Sequence, residues 1–534
     1  MSRDLGAARI SDPTDDHYRR PLPMEPMLSE HTSTRRSSPR TAGRLLQAKA
    51  KTLGRTLGRT LGLSLGLACL LVVPWAAPSA NSALPATVNS ELAAQKLDAN
   101  HLGLWVQAVD SDTPLINHQG ERLFNPASVM KLVTTVAALD VLGPTFKWKT
   151  EFLADSMPVN GVIKGDLYIK GYGDPWFRSE DLWDVVRRLR ELGVKEIRGD
   201  VVLDDSYFAP IAADPGDFDN RPDRVYNALP NALLLDNRAV RISITPHGED
   251  ESAVTTWPPN PRMALDNSLK LVNQPCRNST NQPVIDIRNP TDPGAEIQVR
   301  GTVSRQCAPH LYYRVAGDPH DAFFHAFKQL FESAGGTITG HWREGLVQAG
   351  STRLLSHDSR PLSNYLWLMN KWSNNVMARQ IMLTMGAELE GTPATELKAA
   401  RVIERWATDR GLNWDGAVVE NGSGLSRISR LSPRQLGNML LSVWKSPYMP
   451  EVMATLPIAG IDGTMRKRLT SGSIRGHAHI KTGTLRDVRA GAGFLLAKSG
   501  RRYVVVMLHN EQGVQYGGGT RVQDALLTWL YENG

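Results

Sequence analysis

Ser128-Val129-Met130-Lys131 places a hydroxyl and an amine three residues apart, the least that a serine nucleophile with its own base requires. A serine hydroxyl attacks poorly until a neighbour takes its proton, and lysine can do so where burial or nearby positive charge keeps it neutral. A serine in the first turn of a helix also keeps its own N–H free of intrahelical bonding, which suits binding of an oxyanion. The string alone is weak, since a chain of this length should hold roughly two such strings by chance. A second one, Ser442-Val443-Trp444-Lys445, is present. It closes a helix opened by Ser432-Pro433 and is followed by Pro447, so Lys445 reads as a helix C-terminal charge. Two further strings matter downstream: Ser373-Asn374-Asn375 and Lys481-Thr482-Gly483-Thr484. Each is common singly, and Ser279-Thr280-Asn281 repeats the first pattern.

These residues need elements to hold them. Asn125-Pro126 reads as an N-cap followed by proline at the first helical position, and Leu132, Val133, Val136, Ala137 and Leu139 carry helical spacing toward Gly143. Ahead of it lie a predicted helix over 89–97 and an alternating strand over 104–109. Ser373 falls within a helix-like stretch, 362–384, and a second helix is predicted over 393–409. Lys481 begins at a strand edge before a hairpin of 490–497 and 502–508, and an amphipathic helix over 521–531 ends the chain. From about 149 to 354 the texture changes to short β runs cut by Gly, Pro, Asn and Asp, with one helix around 321–334. The expected fold class is therefore α/β (α+β), one domain made of both ends of the chain around a long mainly-β insertion that forms one or two small domains.

Composition narrows the function. The chain has 534 residues and a net charge of +7, but twelve of its 61 Lys/Arg and six of its 54 Asp/Glu fall within residues 1–60, leaving 49 against 48. The rest is nearly neutral, and nucleic-acid binding loses its main support. The basic stretch leads into a thirteen-residue apolar run, 61–73, followed by small residues such as Ala80-Asn81-Ser82. That is signal-peptide length and short for a membrane span, so export is expected, with an uncleaved anchor as the competing outcome. Cys69 lies in that run; Cys276 and Cys307 remain, either as a disulfide or as two buried thiols. No Cys-x-x-Cys or His-x-x-x-His spacing suggests a metal, and no Gly-rich phosphate loop suggests a nucleotide, so no cofactor is expected.

In the order S-x-x-K, S-x-N, K-T-G, the three strings match serine β-lactam-recognising enzymes. Over roughly 88–532 the chain closely resembles the low-molecular-mass, class C penicillin-binding D-alanyl-D-alanine carboxypeptidase/endopeptidase family, typified by the DacB proteins. Supporting strings are Gly171-Tyr172-Gly173-Asp174-Pro175, Asn421-Gly422-Ser423-Gly424-Leu425-Ser426-Arg427 and Gly460-Ile461-Asp462-Gly463-Thr464-Met465. The interval of 245 residues from Ser128 to Ser373 resembles that family's interrupted catalytic domain. The resemblance implies a transpeptidase-like domain with a central antiparallel sheet flanked by helices, split into 84–148 and 355–534 by the insertion 149–354. A basic extension, 1–54, and the signal or anchor, 55–83, precede it.

The resemblance also implies roles. Ser128 attacks the carbonyl between two D-alanines with neutral Lys131 as base; Ser373 and Lys131 relay a proton to the leaving amine; Asn375 orients the acyl amide. Backbone N–H groups of Ser128 and Thr484 form the oxyanion hole, and Lys481, Thr482, Gly483 and Thr484 bind substrate. Peptidoglycan peptides and β-lactams are the implied partners, with peripheral membrane association open, as is the oligomeric state. Asn374 and Asn421 stand where the family usually has Asp. The competing readings are a β-lactamase-like hydrolase, to which Asp409-Arg410-Gly411-Leu412-Asn413 bears a superficial likeness, and a non-catalytic cell-wall binding protein. Capping favours a helix stop at Gly411 instead. The segment 366–372 is expected to pack as core, and Arg466-Lys467-Arg468 to form a solvated face or attract substrate.

Overall fold

The computed structural model describes residues 83–534 apart from 248–250, 278, 280 and 308. The expected basic extension and the apolar segment up to residue 82 lie outside them. Among the described residues no helix is long and apolar enough to cross a membrane.

The chain opens with α1 (Ala86–Gln95), then β1 (Leu102–Ala108) and β2 (Ile116–His118). A 3-10 turn, Ala127–Val129, runs directly into α2 (Met130–Val141). Every residue of α2 from Met130 to Leu139 is buried: the apolar positions pack into the core, while Lys131, Thr134 and Thr135 share one face and are buried against Asn375, the Gly422 carbonyl and Asn370. Each fully buried Leu or Val there contributes about 1.5–3 kcal/mol of burial free energy, which anchors the turn that precedes it.

Next come β3 (Lys149–Ala154), β4 (Val162–Ile163), β5 (Leu167–Gly171), α3 (Ser179–Glu191), β6 (Glu196–Ile197) and β7 (Val201–Asp204). They are followed by β8 (Val240–His247), β9 (Glu251–Trp257), β10 (Ala264–Val272), β11 (Gln282–Arg288), β12 (Glu296–Ser304) and β13 (His310–Arg314). This part of the chain finishes with α4 (Pro319–Ser333), β14 (Thr337–Ile338), β15 (Trp342–Glu344) and β16 (Thr352–Asp358). The sheet β15–β7–β5–β3–β16 packs with α3 and α4 around Phe152, Leu203, Phe323, Phe327 and Phe331. The sheets β10–β12–β11 and β13–β8–β9 enclose a separate core of Ile242, Ile244, Ile297 and Val299. Cys276, just after β10, and Cys307, just after β12, form a disulfide. Helix α3 was not expected, although Glu180 and Asp181 in its first turn and buried Leu182, Val185, Val186 and Leu189 carry the signature.

The last third supplies α5 (Leu362–Trp372), α6 (Asn375–Glu390), α7 (Glu396–Asp409), α8 (Pro433–Trp444), α9 (Met449–Thr455), β17 (Ala478–Leu485), β18 (Val488–Leu496), β19 (Arg502–Asn510) and α10 (Gly518–Asn533). Strands from both ends of the chain form one antiparallel sheet, in the order β17–β18–β19–β1–β2. The single helix expected over 362–384 is broken. Ser373 takes the left-handed conformation as the C-cap of α5, at φ 58°, and Asn374 restarts the chain as N-cap of α6, its Oδ1 accepting from Met377 N at 3.0 Å. The break comes from short polar residues that favour caps over helix interiors.

Candidate active site

The site gathers at the N-terminus of α2. The expected N-cap at Asn125 is not formed: Pro126 is the N-cap of the 3-10 turn and Val129 that of α2, while Asn125, one residue earlier, accepts at Oδ1 from Ala127 N at 2.9 Å. Asn510 at the end of β19 holds the same residue from the other side: Asn125 N donates to Asn510 Oδ1 at 2.7 Å, and Asn510 Nδ2 donates to Asn125 O at 3.1 Å. Ser128 is thereby set by groups from β19 as well as from its own turn.

Lys131 is completely buried. Its Nζ donates to Ser128 Oγ at 3.1 Å, to Asn375 Oδ1 at 2.7 Å and to the Ser423 carbonyl at 2.5 Å. All three acceptors are uncharged. Burial, reinforced by the positive charge of Lys481, holds the Lys131 amine well below the ordinary lysine range. A neutral amine in contact with the serine hydroxyl is what a general base for Ser128 requires.

Lys481, on β17, is equally buried, and burial pulls its pKa down to about 7. Its Nζ donates to Ser373 Oγ and to the Thr482 carbonyl, both at 2.8 Å. Ser373 is therefore joined to Lys481, and no hydrogen bond among the described residues joins it to Lys131. Asn375 is committed on both sides, since its Nδ2 donates to Tyr226 O at 3.1 Å.

β17 passes so close to Ser128 that a Cβ on Gly483 would lie 2.9 Å from the Ser128 nitrogen. Only glycine lets the strand approach that turn. Thr484, next along the strand, is exposed, and its Oγ1 accepts from Arg489 Nη1 at 2.6 Å. Thr482 Oγ1 lies 2.7 Å from Thr464 Oγ1. The three strings thus converge: Ser128 and Lys131 from α2, Ser373 and Asn375 from the break between α5 and α6, and Lys481 to Thr484 from β17.

Several site groups were not assigned from sequence. The Ser423 carbonyl, the Tyr226 carbonyl and the Thr464 hydroxyl all touch site residues. Two are backbone oxygens, for which side-chain identity carries no signal. Ser442 and Lys445 fall elsewhere: Ser442 Oγ donates to the Met439 carbonyl at 2.7 Å, and Lys445 is the C-cap of α8. The segment 366–372 contributes buried Leu366 and Met369, whereas Trp367 is partly exposed beneath Lys371. Of the basic run, Arg468 is buried against Asp524, while Arg466 and Lys467 are exposed.

Residues 84–532 match the model of the D-Ala-D-Ala carboxypeptidase 3 (S13) family. The chain belongs to that family. It is 30% identical to the D-alanyl-D-alanine carboxypeptidase of Actinomadura sp. (strain R39), over 80% of this chain and 81% of the relative. It is 25% identical to the D-alanyl-D-alanine carboxypeptidase DacB of Haemophilus influenzae, over 80% and 88% of the two chains. The crystal structure of penicillin-binding protein 4 (dacB) from the same organism has the same fold, with a TM-score of 0.70 at 23% identity, covering 83% of this chain and 99% of that one. Both family membership and fold agree with the resemblance carried by the three strings.

Proposed function

We propose that this protein is a serine D-alanyl-D-alanine peptidase acting on the stem peptides of peptidoglycan through an acyl-enzyme on Ser128. The observation that carries the reading is the buried Lys131 amine, held against Ser128 Oγ at 3.1 Å by uncharged partners. Ser128 Oγ attacks the carbonyl of the D-Ala-D-Ala bond as its proton passes to Lys131. The N–H groups of Ser128 and Thr484 receive the oxyanion. The protonated Lys131 supplies the leaving amine, with Ser373, held by Lys481, completing the relay once the leaving nitrogen sits between them. Lys481, Thr482 and Thr484 attract the terminal carboxylate, and Asn375 fixes Lys131 through Oδ1, leaving the second hydrogen of its Nδ2 for the acyl amide. Water then releases the acyl group. A β-lactam acylates the same serine without a departing amine and leaves a slowly hydrolysed adduct.

The chain acts after export in this reading, in the bacterial periplasm, with 84–148 and 355–534 as the catalytic part and 149–354 as the insertion. Incubation with purified muropeptides and mass analysis tests it: loss of one terminal D-alanine per pentapeptide is expected, with cleavage of cross-linked dimers marking endopeptidase action as well. Unchanged muropeptides, from a protein that still binds penicillin, would contradict it.

A further inference from the structure

The turn 421–425, like β17, lies against the backbone that carries the nucleophile. A Cβ on Gly424 would lie 1.8 Å from the Ala127 carbonyl and 3.0 Å from the Ser128 nitrogen, so the turn lies against the residue before the nucleophile. Gly424 has φ 76°, a second reason for glycine there. Thr134, one turn beyond Lys131 on α2, donates from Oγ1 to the Gly422 carbonyl at 2.7 Å and pins the turn to the same helix. Between these two points the Ser423 carbonyl accepts from Lys131.

Asn421 gives the turn its shape. Its Oδ1 accepts from Ser423 N at 3.1 Å and from Ser423 Oγ at 2.8 Å, while its Nδ2 donates to the Leu425 carbonyl at 2.9 Å. Only an amide makes all three, because a carboxylate has nothing to donate to Leu425 O. The carboxylate would also place negative charge against Ser423, whose carbonyl holds Lys131.

We propose that the turn 421–425 positions the base, and that the neutral amide of Asn421 shapes the turn so that the Ser423 carbonyl holds Lys131 with no carboxylate beside it to favour the ammonium form further. Asn421 is a positioning residue; it acts through Ser423 on Lys131. The proposal rests on Ser128 and Lys131 as nucleophile and base. The charged groups on the surrounding elements are consistent with it. On α2 they are Lys131 itself and the distant Asp140, paired with Arg410; on β17, Lys481. Lys371 on α5 is paired with Asp462, and Arg379 on α6 with Glu396. Asp219, bonded by Tyr226, and Asp223 precede the Tyr226 carbonyl, and Glu420 and Arg427 flank the turn. Lys131 forms an ion pair with none of them among the described residues.

The test is the rate of acylation by a fluorescent penicillin as a function of pH, with thermal melting as a folding control. For Asn421→Asp the acid limb of the profile is expected to move up by about one pH unit, with at least about a tenfold loss at neutral pH that recovers in alkali. Thr134→Val is expected to move the limb the other way, because a loosened carbonyl withdraws an acceptor from the ammonium, and to slow the plateau rate severalfold. It decides alone should Asn421→Asp fail to fold. Acid limbs coinciding with wild type, or moving the same way in both variants, would overturn the proposal. Ser128→Ala runs alongside: if it is silent while Asn421→Asp behaves as wild type, only the role of the turn falls, whereas labelling of Ser128→Ala overturns both readings.

Discussion

Lys481 donates to Ser373 Oγ at 2.8 Å while Lys131 donates to Ser128 Oγ at 3.1 Å, so each buried lysine of the site holds a different serine. Two ammonium groups in one buried site repel, and the lower pKa of each is the physical result of burial and, for Lys131, of the other's charge. The pair divides the work. In the proposed mechanism one amine takes a proton at Ser128, and the other orients the hydroxyl on the leaving-group side.

The base assignment predicts how activity depends on pH. An amine held well below the ordinary lysine range gives up its proton well below pH 10.5, so acylation should rise with pH along one limb and reach its plateau below that value. Lys131→Ala should lower the acylation rate by about 10²–10⁴-fold, the usual range for losing a general base. Stopped-flow acylation checks both; a rate still climbing at pH 10 would contradict the assignment.

Lys481 makes a separate prediction about stability. Its pKa is about 7 in the fold against 10.5 unfolded, so between these values the unfolded chain binds the extra proton. The destabilisation is full below pH 7 and vanishes above 10.5, and the fold therefore gains stability as pH rises through that window. Lys481→Met should be more stable than wild type at pH 6.5 by an amount approaching about 4 kcal/mol, with the difference closing toward pH 10.5. Denaturant melts of both proteins across the window measure it.

Asp174 behaves in the opposite sense. Burial pushes its carboxyl up to about 7 from 3.8, although Trp176 N donates to it at 2.9 Å. Between those values the folded protein holds the extra proton, so its contribution falls as pH rises and the full cost is felt above pH 7. Asp174→Asn keeps an acceptor for Trp176 N and should gain about 4 kcal/mol over wild type at pH 8, and nearly nothing at pH 4. A gain independent of pH would contradict the assignment.

Much of this was legible from residue types. The three strings and the β texture after residue 149 were readable, because side-chain chemistry and periodicity are local. What escaped was set by tertiary contact. The break at Ser373 depends on two short polar caps inside a stretch whose apolar spacing reads as continuous helix. The partnership of Ser373 with Lys481 rather than Lys131 is a matter of distance across the sheet edge, and the Ser423 and Tyr226 carbonyls are backbone atoms that any residue would supply.

Asn374 illustrates how a departure from the usual residue can be silent. Its Oδ1 performs the N-cap of α6, and Asp caps about as well as Asn. Asn374→Asp should therefore change the melting midpoint by less than the equivalent of about 1 kcal/mol, while Asn374→Ala should cost about 1 kcal/mol. Calorimetry of the two variants separates these outcomes.

The central claim is that Ser128 carries the acyl group. Intact-mass measurement after exposure to benzylpenicillin, followed by peptide mapping, tests it most directly. The predicted result is a single stoichiometric adduct on the peptide containing Ser128, absent from Ser128→Ala. An adduct of equal occupancy in Ser128→Ala, or one mapped to Ser373 or Ser442, would contradict it.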